Sequence, residues 1–294
     1  MLTPSSDRAP RTRPGRSTRG VAGPAGTAGR PLLALVLGAA ALLGAFVLAP
    51  SRLAAGDADG DLVTNQQRVT AVRGGFVEYW RSGDRRLSPH LTRVVDYWYR
   101  FHLVKGLVSA LLLTVLVILT IALWKRSLNT RGAPRRAGLV SAGVLSTTLA
   151  LVALAATMAN IQGAAAPFSS LLPMLPAGRT DPALAGALDQ AAHQLADTRT
   201  GTPTTPPLDV MTADFALYHV VMAVVAAAVA VVLLAVSVLL WRRNPADQAA
   251  KRVTRAYAAL AAVLTVASLV LVAANVSVAA HPGPALLRAL QGGL

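Results

Sequence analysis

Five long apolar stretches restrict this chain to a membrane fold. Each is close to or longer than the roughly 20 apolar residues that a helix needs to cross a bilayer core. Lys105, near the start of the second stretch, can extend its ammonium group to the lipid headgroups, and these stretches contain no other Asp, Glu, Lys or Arg. The sequence therefore predicts an all-α integral membrane protein with about five transmembrane helices, at residues 31–49, 103–124, 138–161, 216–241 and 256–279.

The basic residues predict which side of the membrane each connection faces. Much of the net charge of +15 lies in the first 30 residues and in the short connections after the second and fourth stretches. The positive-inside rule assigns these three segments to the cytoplasm. We therefore expect a multi-pass protein of the cell membrane with a cytoplasmic N-terminus and an extracytoplasmic C-terminus. The basic excess then reflects topology, and no nucleic-acid partner is expected.

An internal repeat covers the last four apolar stretches. Residues 101–126 align without a gap with 218–243, and residues 145–175 align with 260–290. A fixed period of this kind predicts a tandem duplication of a helical hairpin, with both copies in the same orientation and the four helices forming a bundle. The alignment also pairs residues that are rare in this composition, namely His102 with His219, Trp124 with Trp241, and Asn160 with Asn275.

The predicted organisation has six parts. The stretch at 31–49 could be a retained signal anchor or a cleaved signal sequence, and its length favours retention. The six parts are a disordered basic cytoplasmic tail (1–30), the signal-anchor or signal-peptide-like helix (31–49), an extracytoplasmic helical segment (50–102), hairpin repeat 1 (103–175), an extracytoplasmic loop with a short helix (176–215), and hairpin repeat 2 with the outer C-terminal tail (216–294).

In the outer segments, Ser88 and Asp181 are predicted helix caps, whereas Gly74 and Gly75 interrupt a helical pattern.

Helix direction places four polar residues at the outer ends of the repeat helices. They form two symmetric His/Asn pairs, drawn from His102, His219, Asn160 and Asn275. The imidazoles could ligate a metal or haem or bind an anionic headgroup. Alternatively, the four side chains satisfy backbone groups or water. Two histidines without a carboxylate or Cys partner make a poor metal site, so no cofactor or metal is assigned, and haem or metal at His102 and His219 is kept as an alternative.

Other polar and aromatic residues have simpler predicted roles. Trp98, Trp124 and Trp241 are expected to anchor the helices at the two membrane interfaces. Asp96 and Asp214 are expected to cap helices or face water. Several hydroxyl side chains are expected to bond the backbone of their own helices, and these are Thr114, Thr120, Ser146, Thr147, Thr148, Ser237 and Ser268.

One resemblance accompanies these patterns. The phrase Asn160-Ile-Gln-Gly-Ala-Ala-Ala-Pro-Phe-Ser-Ser-Leu-Leu and the two aromatic-His helix starts resemble uncharacterised multi-pass membrane proteins of high-GC actinobacteria. The resemblance spans the repeat region. It implies a membrane location and carries no assigned activity.

Several function classes are disfavoured by what the sequence lacks. The chain has no cysteine, and it contains no nucleotide-binding glycine loop, zinc-protease motif or nucleophile elbow. We therefore expect a non-enzymatic protein with no catalytic residue, which binds a membrane or cell-envelope partner or lipid through its extracytoplasmic face. A small transporter or channel is an alternative, although the stretches show no intramembrane carboxylate or broken helix.

Overall fold

A computed structural model describes residues 30–56, 59–176, 181–197 and 203–292. These residues form nine α-helices and two short 3₁₀ helices, at Gly60–Leu62 and Leu172–Met174, and the described part of the chain contains no strand. The predicted tail at 1–30 lies outside the described residues except for Arg30. The helices are α1 (Arg30–Ala54), α2 (Asn65–Ser82), α3 (Pro89–Asn129), α4 (Ala133–Ala165), α5 (Pro167–Leu171), α6 (Pro182–Asp197), α7 (Pro206–Arg242), α8 (Gln248–Ala280) and α9 (Pro282–Leu290).

Five of these helices, α1, α3, α4, α7 and α8, are long and apolar enough to cross a membrane. Helix α3 packs along α4, α7 packs along α8, α1 lies against α3, and α4 contacts α7. Many large apolar side chains on these helices face outward, including Leu107, Val152 and Val231. Such a surface is stable in lipid and costly in water, so it is consistent with a membrane location.

The remaining helices gather at one end of the long helices into a compact unit, which we call the cap. It consists of α2, α5, α6 and α9 together with the first turns of α3 and α7, which share one hydrophobic core. The largest side chains that are almost fully buried in the molecule all lie in this core. They are Leu62, Phe76, Tyr79, Leu91, Tyr97, Leu171, Leu175, Leu184, Leu188, Leu208, Met211 and Leu286.

Local capping signals explain where the cap helices begin. Ser88 accepts a hydrogen bond from the backbone N–H of Leu91, and Pro89 occupies the first turn of α3, as predicted. Asp181 accepts a hydrogen bond from the N–H of Ala183 at the start of α6, also as predicted. Helix α2 starts with a reciprocal capping box that the sequence analysis did not identify, formed by Thr64 and Gln67.

The glycine pair does not interrupt α2, contrary to the sequence expectation. The helix is continuous from Asn65 to Ser82, and its glycines lie within it. A Cβ at position 75 would lie 3.2 Å from the backbone N and Cα of Leu91. Gly75 therefore permits close approach of α2 to α3, which is a packing role that outweighs its low helix propensity.

Two long helices extend from the membrane region into the cap. Helix α3 has 41 residues and α7 has 37. Helix α7 begins at Pro206, so the apolar stretch predicted from residue 216 is only its later part. The earlier part is helical because Leu208, Met211 and Phe215 on one face are buried in the cap core.

Candidate functional site

The predicted His/Asn pairs form two hydrogen-bonded units, one in each hairpin. His102 Nδ1 on α3 lies 2.9 Å from Asn160 Oδ1 on α4. His219 Nδ1 on α7 lies 2.8 Å from Asn275 Oδ1 on α8. The structure therefore joins each histidine to the asparagine of its own hairpin, using the same atoms in both cases.

Each asparagine is held in turn by the backbone of its own helix. Asn160 Nδ2 donates to the carbonyl of Ala156 at 2.7 Å, and Asn275 Nδ2 donates to the carbonyl of Leu271 at 2.9 Å. The amide nitrogen is thus occupied as a donor, which leaves the amide oxygen to accept from the imidazole. It follows that Nδ1 of each histidine carries the hydrogen.

Aromatic rings pack around both imidazoles in the same register. The His102 ring meets Trp98 edge-on, with ring centroids 4.8 Å apart, and also contacts Phe101. The His219 ring contacts Phe215, with centroids 4.8 Å apart, and Tyr218. The aromatic residues lie four and one positions before each histidine, so each imidazole is enclosed by its own helix turn.

The two units differ in how tightly the imidazole is packed. The His102 ring lies against the backbone of Gly163, where a Cβ would come within 2.6–2.7 Å of three ring atoms. Its second nitrogen, Nε2, is buried and has no hydrogen-bond partner among the described residues. In the internal sequence alignment, Val278 occupies the position that corresponds to Gly163. The Gly163 backbone therefore packs directly against the His102 ring.

A side-chain contact connects the neighbourhoods of the two units. Gln162 on α4 donates through Nε2 to the carbonyl of Tyr218 on α7, at 3.1 Å. Gln162 is buried and lies two residues after Asn160, and Tyr218 immediately precedes His219. Neither Gln162 nor Gly163 was predicted from the sequence to have a special role, although both belong to the phrase that follows Asn160.

The two predicted carboxylates have separate positions. Asp96 is exposed on α3. Asp214 on α7 accepts hydrogen bonds from the backbone N–H and the hydroxyl of Ser169, at 2.8 and 2.7 Å. Asp214 therefore satisfies a free N–H in the first turn of α5, so it caps a helix other than its own and connects α5 to α7.

The three tryptophans occupy three different environments. Trp98 is only 8% exposed and donates from Nε1 to the Ser170 hydroxyl at 2.7 Å, so it is a cap core residue. The cap covers this part of α3, so the Trp98 ring does not lie on the outer surface of the helix. Trp124 donates to the hydroxyl of Tyr257 on α8, whereas Trp241 is 57% exposed beneath the guanidinium of Arg255.

Three of the predicted backbone-bonding hydroxyls instead connect neighbouring helices. Thr120 on α3 donates to the Ser146 hydroxyl, and Ser146 on α4 donates to the carbonyl of Leu116. Ser237, which aligns with Thr120, donates to the carbonyl of Ala258 on α8. The expectation of bonds to their own helices is confirmed for the others, namely Thr114, Thr147, Thr148 and Ser268.

Among the described residues, no group of three or more His, Cys, Asp or Glu side chains is placed to hold a metal ion. Comparison of the chain with protein-family models, curated proteins and solved structures found no match. The geometry of the chain itself is thus the basis for any functional assignment.

Proposed function

We propose that this chain is a non-enzymatic, multi-pass protein of the plasma membrane that binds a protein or other cell-envelope partner through the cap. The observation that supports this proposal is the cap, in which segments from distant parts of the chain contribute to one core. A bundle of membrane helices alone does not require such a unit. The exposed surface of the cap therefore offers a rigid platform for binding a partner.

The proposed orientation places the cap on the extracytoplasmic side, with the N-terminus in the cytoplasm. Its support is the distribution of basic residues at the opposite ends of the long helices. Lys125 and Arg126 lie near the end of α3, and Arg242 and Arg243 near the end of α7. We also propose that α1 is a retained anchor, since Tyr97 in the cap donates to the carbonyl of Ser51 on α1.

A tandem hairpin duplication that forms a four-helix bundle is part of the same proposal. It is supported by the matched His–Asn hydrogen bonds and by the aligned hydroxyls of Thr120 and Ser237, which each bond the next helix. Further support comes from the leucines that follow each hairpin, since Leu171 and the aligned Leu286 are both buried in the cap.

The proposal of a non-enzymatic role is supported by the hydrogen bonds that the polar side chains of the His–Asn units and Asp214 already make. Each imidazole bonds an asparagine, and each asparagine bonds the backbone of its own helix. Asp214 is similarly engaged by Ser169. These groups therefore stabilise the junction between the cap and the long helices, and we assign them no reaction.

The orientation can be tested by cysteine labelling, because the chain has no cysteine of its own. Thr70→Cys puts a thiol on the exposed face of α2, and Ala246→Cys puts one in the exposed connection between α7 and α8. A membrane-impermeant maleimide applied to intact cells should label the first variant, and the second only after lysis. The reverse pattern would show that the cap faces the cytoplasm.

Partner binding can be tested by photo-crosslinking from native membranes. A photoreactive amino acid is introduced at exposed cap positions Thr70 and Ala196, and at Ala246 as the matched control outside the cap. The proposal predicts the same discrete adduct from both cap positions and none from the control. Adducts of equal yield at all three positions, or no adduct from the cap, would contradict it.

A further inference from the structure

We infer that Lys105 binds the phosphate of an anionic lipid headgroup where α1 and α3 meet the cap, with the buried charge of Arg68 adding to the attraction. The inference goes beyond the proposed function, since it concerns the lipid and requires no cap partner. It requires only that α1 and α3 cross the membrane.

The two cations converge on the same aromatic ring. The ammonium nitrogen of Lys105 lies 5.3 Å from the ring centroid of Phe101 and 4.5 Å from that of Phe46 on α1. The guanidinium carbon of Arg68 lies 5.4 Å from the Phe101 centroid and 5.6 Å from the Trp98 ring. Aromatic faces stabilise cations, but they do not neutralise the charge.

No carboxylate in the described part of the chain forms an ion pair with either cation. The buried carboxylate of the neighbourhood, Asp59, is engaged by Arg100 at 2.6 Å. Arg68 is only 8% exposed, and its partners are all uncharged: Nη1 donates to the carbonyls of Leu62 and Val63 and to the Tyr97 hydroxyl, and Nη2 donates to Asn65 Oδ1. Burying a charge without a counter-charge is costly, so an anion bound beside these two cations would stabilise them.

Both cations also have unused hydrogen-bond donors. The Nε of Arg68 is buried and has no partner among the described residues. No hydrogen bond or ion pair occupies the three donors of the Lys105 ammonium in the described structure, and this side chain is only half-buried. An oxygen-rich anion such as phosphate can accept from Lys105 and supply the missing negative charge to both residues.

The location favours a lipid phosphate as the source of that anion. Leu103 and Leu107, two residues before and after Lys105 on α3, are exposed apolar residues at the same level of the helix, as are Val47 and Leu48 beside Phe46 on α1. Lys105 therefore lies at the level where the lipid-facing surface begins below the cap, which is the expected depth of the headgroups. Basic pockets between transmembrane helices bind anionic headgroups on the cytoplasmic side of membranes, and the same charge attraction applies to a lipid phosphate in the outer leaflet.

The full-length protein, reconstituted in lipid nanodiscs, provides the test. Nanodiscs of phosphatidylcholine alone are compared with nanodiscs containing phosphatidylglycerol, and retained lipid is counted by native mass spectrometry, with thermal unfolding as the second readout. The variants are Lys105→Gln, Lys105→Arg, which keeps the charge, and Lys125→Gln, a matched control on an exposed lysine at the other end of α3. A further arm adds inorganic phosphate to the phosphatidylcholine nanodiscs.

Phosphatidylglycerol should be retained by the wild type and raise its unfolding midpoint. Lys105→Gln should weaken retention about fivefold or more, as expected for loss of one lysine near an anionic surface, whereas Lys105→Arg and Lys125→Gln should retain it. Equal retention by Lys105→Gln and wild type, or equal loss in both glutamine variants, would overturn the inference. So would stabilisation by inorganic phosphate that equals the effect of the lipid, because the ligand would then be a free anion.

Discussion

At the scale of single residues, the two His–Asn units show how a polar pair can be held between two long apolar helices. Asn160 bonds the carbonyl four residues earlier on its own helix, and its remaining acceptor receives the hydrogen of His102. Each link fixes the rotamer of the next, so the imidazole has a defined orientation. Leaving such a buried donor without a partner costs about 1–3 kcal/mol, which explains why the pair is joined across two helices.

Gly163 should be essential for this arrangement. Gly163→Ala places a Cβ within 2.7 Å of the His102 ring, so the ring must move. We expect the variant to be destabilised by about 1–3 kcal/mol, since overpacking outweighs the better helix propensity of alanine. The check is thermal or detergent-induced unfolding of the purified protein.

The matched control is Gly138→Ala in the same helix, where nothing lies within 4 Å of the added Cβ. It should be as stable as the wild type or slightly more stable. If both alanine variants unfold alike, the contact between Gly163 and His102 does not constrain the fold.

Tyr79 should make the cap sensitive to alkaline pH. Burial raises the pKa of Tyr79 from 10.0 to about 12, because the phenolate is poorly solvated in the cap core. The neutral form is thus favoured in the folded state, and the associated stability is present below pH 10 and lost as pH rises towards about 12. Denaturant unfolding at pH 8 to 11.5 should show this loss in the wild type and a smaller loss in Tyr79→Phe. Identical pH profiles would contradict the assignment.

At the scale of elements, the close approach of α2 to α3 depends on one of two adjacent glycines. Gly75 faces the backbone of Leu91, whereas Gly74 has only a distant contact with the His90 ring, at 3.8 Å. There is therefore room for a Cβ at position 74, whereas a Cβ at position 75 of the same helix would press against α3. The same helix also positions Arg68 beside the first turns of α3.

Alanine substitutions should separate these requirements. Gly74→Ala should stabilise the protein by about 0.5–1 kcal/mol through helix propensity alone. Gly75→Ala gains the same propensity, but α2 must move away from Leu91, so it should be less stable than Gly74→Ala by about 1 kcal/mol or more. Equilibrium unfolding of the two variants in one detergent gives the comparison. Equal stabilities would show that the α2–α3 contact adapts without cost.

At the scale of the whole molecule, the cap and the long helices form one connected structure. Helices α3 and α7 contribute residues to the cap core and then continue into the apolar region. The core also draws on α9, which follows the last long helix. Segments far apart in sequence must therefore be in place together before the cap is complete.

Leu286→Ala on α9 should accordingly destabilise the entire cap. Leu286 is fully buried, so its loss should cost about 2–5 kcal/mol and lower the unfolding midpoint of cap segments remote in sequence, such as α2. Hydrogen exchange on α2 reports the effect. Leu234→Ala, at a side chain 53% exposed on α7, is the control and should leave α2 unchanged. Faster exchange confined to α9 would mean that the cap segments unfold separately.

The sequence was sufficient to predict the five long helices, since their length and apolar composition are local properties. It also predicted that His102 and Asn160 lie at the same end of one hairpin, because the two helices run in opposite directions. It did not predict the burial of Trp98, which depends on α5 packing over α3 through Ser170. Helix periodicity identified several cap helices but contained no information on which faces meet, so the shared core could not be derived.

The shared helices have a mechanical consequence. At a rise of about 1.5 Å per residue, the 41 residues of α3 form a rod of about 60 Å whose first turns are buried in the cap. Helix α7 forms a second rod that is fixed in the same core. A load that tilts the cap must therefore tilt both rods or break their packing. A force applied to one end of α3 or α7 is therefore transmitted to the other end through continuous helical backbone, because no loop interrupts either helix.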